Sequence, residues 1–275
     1  MRRGCVHLIK SKKILNKFAF AGDCCIKHWE FDMLVEIKNL GKKYHKRANF
    51  AVRDINIVGK EGEIIGILGH NGAGKSTTIK CITGMHPYEE GTITIAGHDL
   101  AKKPIKAKQN FGYVSDEHIL FEKMTGQEYI DFMADIYGVS IRTRRARVER
   151  FQEIFQLGDS IYKPISSYSH GMKQKISLMG ALIHNPKVFI LDEPMVGLDP
   201  YTANALRNFF KEHAAAGNLV LFSSHNLDTV EKLCDRVYII DQGHIIKEIN
   251  MRSFKNTGKD FESYFLAITR RVARV

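Results

Sequence analysis

The sequence predicts an α/β fold in which helices cover a largely parallel sheet and a helical block is inserted in the middle. From residue 33 onward, strand-like and helix-like segments alternate, which is typical of this class. Three short apolar runs, at 188–191, 219–222 and 237–240, are of the kind found in parallel strands buried on both faces. Residues 126–184 instead place Glu, Gln, Met, Lys and Arg on a helical period. This stretch indicates an inserted helical subdomain.

The remaining elements follow from local pattern. The alternation of apolar and polar residues that starts at Met33 predicts a strand over 33–39. Further predicted strands cover 52–58, 63–68, 92–96 and 111–114, and a predicted helix covers 76–84. The strand at 63–68 runs straight into a glycine-rich loop.

Composition limits the class of protein. The chain has 275 residues, 44% apolar and 26% charged, which is ordinary for a globular protein with one large domain or two small ones. It has no run of 18 apolar residues, so we expect it not to span a bilayer on its own. Its five cysteines follow no metal-ligand spacing and favour free thiols in a reducing, cytoplasmic compartment.

The net charge of +11 is concentrated at the two ends. Residues 1–32 carry +4, residues 251–275 carry another +4, and only +3 is left for 33–250. A basic tail can contact anionic lipid or nucleic acid. The simpler interpretation, which we adopt, is that both ends are solvated.

The loop Gly69-His70-Asn71-Gly72-Ala73-Gly74-Lys75-Ser76 matches the pattern G-x-x-x-x-G-K-[ST]. Its glycines allow backbone N–H groups to turn inward around an anion, and the following helix adds its positive N-terminus. Lys75 is expected to bridge the β- and γ-phosphates of ATP, and the Ser76 hydroxyl to ligate Mg²⁺. Thr77 completes the predicted nucleotide-binding set. A glycine-rich turn met by chance is the alternative.

Two acids follow the apolar run at 188–191. An acid at the tip of a buried strand is costly unless a cation or hydrogen-bond donors meet it. We therefore expect Asp192 to hold Mg²⁺ through water, and Glu193 to polarise the attacking water as general base. Two acids emerging into solvent would be the alternative in the absence of the phosphate loop.

With these motifs in this order, residues 33–250 resemble the ATP-binding cassette (ABC) family. Gly197-Leu198-Asp199 looks like the D-loop of that family, and His225 in Ser224-His225-Asn226 matches its switch histidine. Tyr168-Ser169-His170-Gly171-Met172 occupies the position of the family signature, Leu-Ser-Gly-Gly-Gln. Tyr44 matches the aromatic residue that stacks on adenine, although a surface tyrosine in a basic turn is the alternative reading.

The resemblance implies a composite site. In this family ATP is sandwiched at a head-to-tail dimer interface, so Ser169 and Gly171 would reach the γ-phosphate bound by the opposite subunit. Ser169 also has the properties of a helix N-cap, and its helix start can present donors to a phosphate. His225 would contact the γ-phosphate and orient Glu193 and the water. The implied cofactors are ATP and Mg²⁺.

The pattern departs from the family at two places. The glutamine usual after the strand at 111–114 is replaced by Asp116, which could still bind Mg²⁺ directly or through water. His170 and Met172 alter the signature, and Met172 cannot make the hydrogen bonds of a glutamine. We expect dimerisation and hydrolysis to survive both changes.

The predicted fold is therefore a P-loop NTPase core with an antiparallel β subdomain and an inserted helical subdomain. We expect an N-terminal extension over 1–32, weakly ordered or read through from an upstream start, an ABC ATPase domain over 33–250 with its helical subdomain at about 117–185, and a C-terminal tail over 251–275 with a short helix.

The predicted function is ATP hydrolysis that powers a membrane transporter. The end at 260–269 looks like the closing helix of ATPases that serve ABC-2-type exporters. The expected partners are a separate transmembrane permease and a second ATPase subunit, identical or related, at the inner face of the cell membrane, with no nucleic acid. A non-transport ABC ATPase acting on ribosomes, DNA or soluble scaffold proteins is the alternative.

Overall fold

The computed structural model describes residues 33–44, 49–117 and 119–272, with side chains up to 269. The predicted extension at 1–32 lies outside the described residues. The ten strands of the described part are β1 Met33–Lys42, β2 Val52–Lys60, β3 Ile64–Leu68, β4 Glu90–Ile95, β5 His98–Asp99, β6 Phe111–Val114, β7 Val188–Asp192, β8 Leu219–Ser224, β9 Arg236–Asp241 and β10 His244–Asn250. The helices are α1 Lys75–Ile82, α2 Pro104–Lys108, α3 Gly126–Ile136, α4 Ile141–Phe155, α5 His170–Leu182, α6 Pro200–Ala215, α7 Leu227–Leu233, α8 Met251–Lys255 and α9 Phe261–Val272.

The strands form two sheets. Four strands make an antiparallel sheet in the order β2-β1-β4-β5. Six strands make a second sheet in the order β10-β9-β3-β8-β7-β6, in which all neighbours are parallel except the edge pair β9 and β10. The predicted α/β fold is confirmed, and the antiparallel sheet is the predicted β subdomain.

Strands β3, β7, β8 and β9 of the six-stranded sheet are buried on both faces, which explains their continuous apolar sequences. Ile65 and Ile190 pack toward the antiparallel sheet together with Ile79 of α1. The alternate residues, such as Phe189 and Leu191, pack on the opposite face against helices. Helix α1 is therefore held in the core between the two sheets.

The helical insertion contains α3, α4 and α5. Thr125 caps α3 in a reciprocal capping box with Glu128, and Ser140 caps α4. Two short 3₁₀ helices, Gly158–Tyr162 and Ile165–Ser167, lead to α5. The predicted helical block is thus divided into three α-helices with two breaks between them, because the sequence supplies caps and turns inside it.

Several predicted boundaries were displaced. Helix α1 begins one residue earlier and ends two residues earlier than predicted, and Gly84 lies beyond it with a φ of 67°, a left-handed conformation that suits glycine. Strand β8 extends through Ser223 and Ser224, beyond the apolar run that predicted it. Strand pairing satisfies the backbone of these polar residues, so the strand continues past the apolar pattern.

No helix among the described residues is both long and apolar enough to cross a membrane.

Candidate functional site

The predicted phosphate loop, the two acids Asp192 and Glu193, and His225 lie at the carboxyl ends of the parallel strands, where ligands bind in open α/β sheets. Leu68 at the end of β3 pairs with Ser224 of β8, and Asp192 of β7 pairs with Ser223 of the same strand. Residues that follow these three strands therefore meet at one edge of the sheet.

The phosphate loop connects β3 to α1 as predicted. Gly72 and Gly74 have φ values of 83° and 113°, in the region that favours glycine. The buried Lys75 folds back over the loop, and its Nζ donates to the carbonyl oxygens of Gly69 at 2.8 Å and His70 at 3.1 Å. The ammonium group thus lies within the loop that was predicted to hold the phosphates.

Glu193 lies between two basic groups. Its Oε1 is 3.5 Å from the Nζ of Lys75 and 3.0 Å from the Nδ1 of His225. The Glu193 side chain is 17% exposed, whereas that of His225 is 51% exposed. Glu193 also has a φ of 49°, an uncommon conformation for a residue other than glycine, and such strain tends to accompany functional sites.

Ser223 holds the pair of acids in place, and the sequence did not single it out. Its hydroxyl donates to Oδ1 of Asp192 and accepts from the backbone N–H of Glu193 at 3.0 Å. Its signal was a polar residue at the end of an apolar strand, on the strand adjacent to the two acids. It explains how a strained Glu193 is held next to a buried Asp192.

Asp192 is almost fully buried. Burial raises the pKa of its carboxyl group; hydrogen bonds from Ser223 and Ser76 oppose this change, and the charges of Asp116 and Glu193 reinforce it. Within the described residues, Asp192 Oδ2 is buried and has no hydrogen-bond partner. A buried carboxylate oxygen without a partner, beside a serine hydroxyl, is an arrangement that a hard cation would satisfy.

Asp116 lies in the turn after β6. Its negative charge adds to the effects of burial and of Asp192 in raising the pKa of Tyr113. The Tyr113 hydroxyl is buried without a hydrogen-bond partner among the described residues. Asp116 is thus close enough to act electrostatically on the Asp192 region, although no cluster of three or more His, Cys, Asp or Glu in the described chain could hold a metal by itself.

Tyr44 lies beside the start of α1. Its hydroxyl is 3.2 Å from Oγ1 of Thr77, and its ring meets His86 edge-on with centroids 5.5 Å apart. The Nζ of Lys42 lies 5.6 Å from the ring centroid. These contacts bring Tyr44 and Thr77 together next to the phosphate loop.

The signature segment, residues 168–172, lies at the start of α5, apart from the phosphate loop of the same chain. Ser169 caps α5 and accepts from the backbone N–H of Met172 at 3.3 Å. Gly171 lies so close to the turn that a Cβ there would be 3.0 Å from the carbonyl oxygen of Gly197. The side chain of Gln174 donates to the carbonyl of Pro194 at 2.9 Å. No hydrogen bond joins Ser169 to the phosphate loop in the part of the chain that the structure describes. The signature is instead fastened to the turn that follows Glu193.

The sequence also missed two contacts of the site. The Lys175 ammonium lies 3.5 Å from the carboxylate of Asp199, whose pKa is lowered to about 2, chiefly by hydrogen bonds from Thr202. At the phosphate loop, the His70 ring meets the carboxylate of Asp241 at the end of β9. Neither pairing has a sequence signal, because each joins residues on separate elements.

Comparisons with known proteins identify the family to which the chain belongs. The family described as ABC transporter matches residues 52–196. The chain is 38% identical over 213 residues to the linearmycin resistance ATP-binding protein LnrL of Bacillus subtilis strain 168, covering 78% of this chain and 68% of that protein. It is 36% identical over 202 residues to the ABC transporter ATP-binding protein NatA of the same strain, covering 73% of this chain and 82% of that protein.

Solved structures give the same result. An ATP-binding subunit of an ABC transporter superposes with a TM-score of 0.80 at 32% identity, covering 86% of this chain and 99% of that one. The dimeric post-hydrolysis state of an ATP-binding cassette bound to ADP and Pi has a TM-score of 0.73 at 23% identity, covering 79% of this chain and 99% of that one. At this identity the likeness shows the fold alone. The chain therefore belongs to the ABC transporter family and is an ATP-binding, ATP-hydrolysing subunit of a transporter system.

Proposed function

We propose that the chain drives an exporter by hydrolysing MgATP at residues 69–76, with Glu193 as general base and His225 as its partner. The observation that carries this proposal is the contact of Glu193 Oε1 with both Lys75 Nζ and His225 Nδ1. This places a base, a phosphate-binding cation and a hydrogen-bonding imidazole within one site. General-base catalysis uses the positioned carboxylate, and electrostatic catalysis uses the cation and the hydrogen-bonding imidazole.

ATP binding begins with a change of partner for Lys75. In the structure its ammonium is held by two loop carbonyls and by Glu193. The β- and γ-phosphates would take up this ammonium, while the loop N–H groups and the N-terminus of α1 receive the remaining phosphate charge. Glu193 is thereby released toward a water molecule. The ring of Tyr44, next to Thr77, would stack on adenine, a contact that contributes about 1–3 kcal/mol.

The residues present fit a magnesium ion. Asp192 offers a buried oxygen that has no hydrogen-bond partner among the described residues, Ser76 lies beside it, and the Asp116 charge acts on the same region. We assign these three as the residues that would hold the ion, directly or through water. When bound, the ion would neutralise charge on the phosphate oxygens.

Hydrolysis then depends on Glu193. Its carboxylate accepts a proton from water as the water oxygen attacks the γ-phosphorus, the bond from that phosphorus to the bridging oxygen breaks, and ADP leaves. The 3.0 Å contact with His225 holds the Glu193 carboxylate in position. The hydrogen bond from the Glu193 N–H to the Ser223 hydroxyl holds the Glu193 backbone.

The site of one chain is incomplete in this proposal. Gly171 lies against the carbonyl of Gly197 in the turn at 194–199, and neither it nor Ser169 makes a hydrogen bond to its own phosphate loop among the described residues. A second subunit, identical or related, would present its Ser169 and Gly171 to the γ-phosphate. Gln174 and Lys175 contact the same turn, through a hydrogen bond to Pro194 and an ion pair with Asp199. Through these contacts, binding of the second subunit would affect the position of Glu193.

The exporter role is supported by the relative whose name records linearmycin resistance. We propose a separate transmembrane permease as partner, which would place the chain at the inner face of the membrane. The test is to purify the tagged chain from its native membranes and identify what accompanies it. A protein with about six apolar spans supports the proposal; recovery of ribosomal RNA or a soluble scaffold protein alone would contradict it.

A further inference from the structure

The end of β9 and the turn that follows it pack directly against the phosphate loop. Gly69 lies so close to the carbonyl oxygen of Ile240 that a Cβ there would overlap it. The N–H of Gly243 donates to the carbonyl of Ala73 at 2.9 Å. These contacts are made by backbone atoms and do not depend on ionisation.

The third contact between these segments is ionisable. The His70 Nε2 lies 2.6 Å from Oδ1 of Asp241, and its Nδ1 lies 2.7 Å from the carbonyl oxygen of Asn71. A carbonyl oxygen only accepts hydrogen bonds, and so does a carboxylate. Both ring nitrogens must therefore carry a proton to satisfy both contacts, and a ring protonated on both nitrogens is a cation.

The surroundings of the ring favour this state. The carboxylate of Asp241 is 7% exposed and faces the ring from the end of β9, while the ring itself is 58% exposed. The pKa of His70 is raised above 6.5, first by the Asn71 carbonyl and then by Asp241, against burial and against the positive charge of Lys75 in α1.

The position of the His70 ring also affects Lys75, because the backbone carbonyl of His70 contacts the Lys75 ammonium. The His70 carbonyl accepts from Lys75 Nζ at 3.1 Å and from the N–H of Ala73 at 3.2 Å. Fixing the ring against Asp241 therefore helps to fix a carbonyl that positions the ammonium predicted to bind phosphate. A charged ring also adds one positive charge to the loop.

We infer that His70 is a positioning residue for ATP, held as an imidazolium between Asp241 and the Asn71 carbonyl so that it braces the phosphate loop and attracts the triphosphate. This inference rests on the proposed binding of ATP at that loop. It makes ATP affinity dependent on pH through a residue outside the chemical step.

The direction of the pH dependence follows from the charge. Below pH 6.5 the ring is protonated in both folded and unfolded chains, so the brace is complete. As the pH rises through the raised pKa of folded His70, the ring loses its proton, one ring nitrogen faces an acceptor without a hydrogen, and the brace is lost. We expect the Kd for MgATP to increase about fivefold across this range, the size expected for a partly exposed charge.

The test uses the full chain carrying Glu193→Gln, so that MgATP is not consumed, between pH 5.5 and 8.5. Calorimetry measures the Kd for MgATP, and NMR of the histidine Cε1–H groups measures the His70 titration without nucleotide, assigned by its loss in His70→Gln. Asp241→Asn removes the carboxylate but retains an amide at the same position. His98→Gln, in β5 of the other sheet, is the control.

The inference predicts a His70 titration midpoint above 6.5 that moves to lower pH in Asp241→Asn. It also predicts that the pH dependence of the Kd becomes weaker in His70→Gln and stays unchanged in His98→Gln. A midpoint at or below 6.5, or the same pH dependence of Kd in His70→Gln, would overturn it. Failure of the proposed function is distinct, because MgATP would then not bind at any pH while the NMR midpoint still reports on the ring.

Discussion

Replacing Glu193 with Gln should strengthen ATP binding while it removes turnover. The carboxylate lies 3.5 Å from the Lys75 ammonium, and the two side chains are only 17% and 6% exposed. ATP must take Lys75 away from this ion pair. Glutamine has nearly the same shape and no charge, so in the variant Lys75 has no ionic partner to leave and the γ-phosphate meets no carboxylate.

The size of the effect follows from the burial of the pair. At an effective dielectric constant of about 20, two charges at this distance attract by roughly 5 kcal/mol, and desolvation offsets most of that. A net advantage of about 1–2 kcal/mol for the variant corresponds to a Kd for MgATP about tenfold lower. Loss of a general base should reduce the turnover number by about 10²- to 10⁴-fold.

Calorimetry with MgATP and the rate of phosphate release measure the two effects on the same preparation. Size-exclusion chromatography with MgATP should also show the variant as a stable dimer, because the bound ATP is no longer hydrolysed and the ATP-bound dimer therefore does not come apart. Glu212→Gln is the matched control: its carboxylate is an exposed partner of Arg150 and should leave affinity and turnover unchanged. Wild-type turnover in Glu193→Gln, or weaker MgATP binding, would refute the reasoning.

The remaining predictions concern other parts of the chain. Lys75→Ala should raise the Kd for MgATP at least about 100-fold, because it removes a buried cation from the loop; calorimetry showing wild-type affinity would contradict this. Ser169→Arg should keep MgATP binding by the single chain but lose turnover, and a variant with full phosphate release would exclude the composite site. Burial lowers the pKa of His184 to about 4, so between about pH 6.5 and pH 4 the unfolded state binds a proton that the folded state does not, and stability falls with falling pH. His184→Phe keeps a ring against Tyr137 and should reduce this slope by up to about 1.4 kcal/mol per pH unit, measured by urea unfolding; an unchanged slope would show that His184 is not the group responsible.

Much of the fold could be predicted because its signals are local. The apolar run before Asp192 has a length and composition typical of a buried strand, and residues 69–76 carry a phosphate-binding pattern between a strand and a helix. The predicted helix cap Ser169 likewise acts within a few residues of its own position. Such features need no knowledge of distant parts of the chain.

The contacts that complete the site could not be predicted in this way. Ser223 holds Asp192 from a neighbouring strand, and Asp241 meets His70 from 171 residues further along the chain. Their pairing follows from strand order and register, which apolar patterns do not specify. The strained φ of Glu193 is similarly invisible in the sequence, since it is imposed by the surrounding tertiary contacts.

The composite site is the central claim, and mixing two inactive variants tests it most directly. Lys75→Ala lacks a working phosphate loop, and Ser169→Arg lacks a working signature. In a head-to-tail dimer of the two, one site combines the intact loop of the Ser169→Arg chain with the intact signature of the Lys75→Ala chain. Equal mixing should restore phosphate release to about a quarter of the wild-type rate, since about half of the dimers are mixed and each has one complete site. A mixture no more active than either variant alone would contradict the claim.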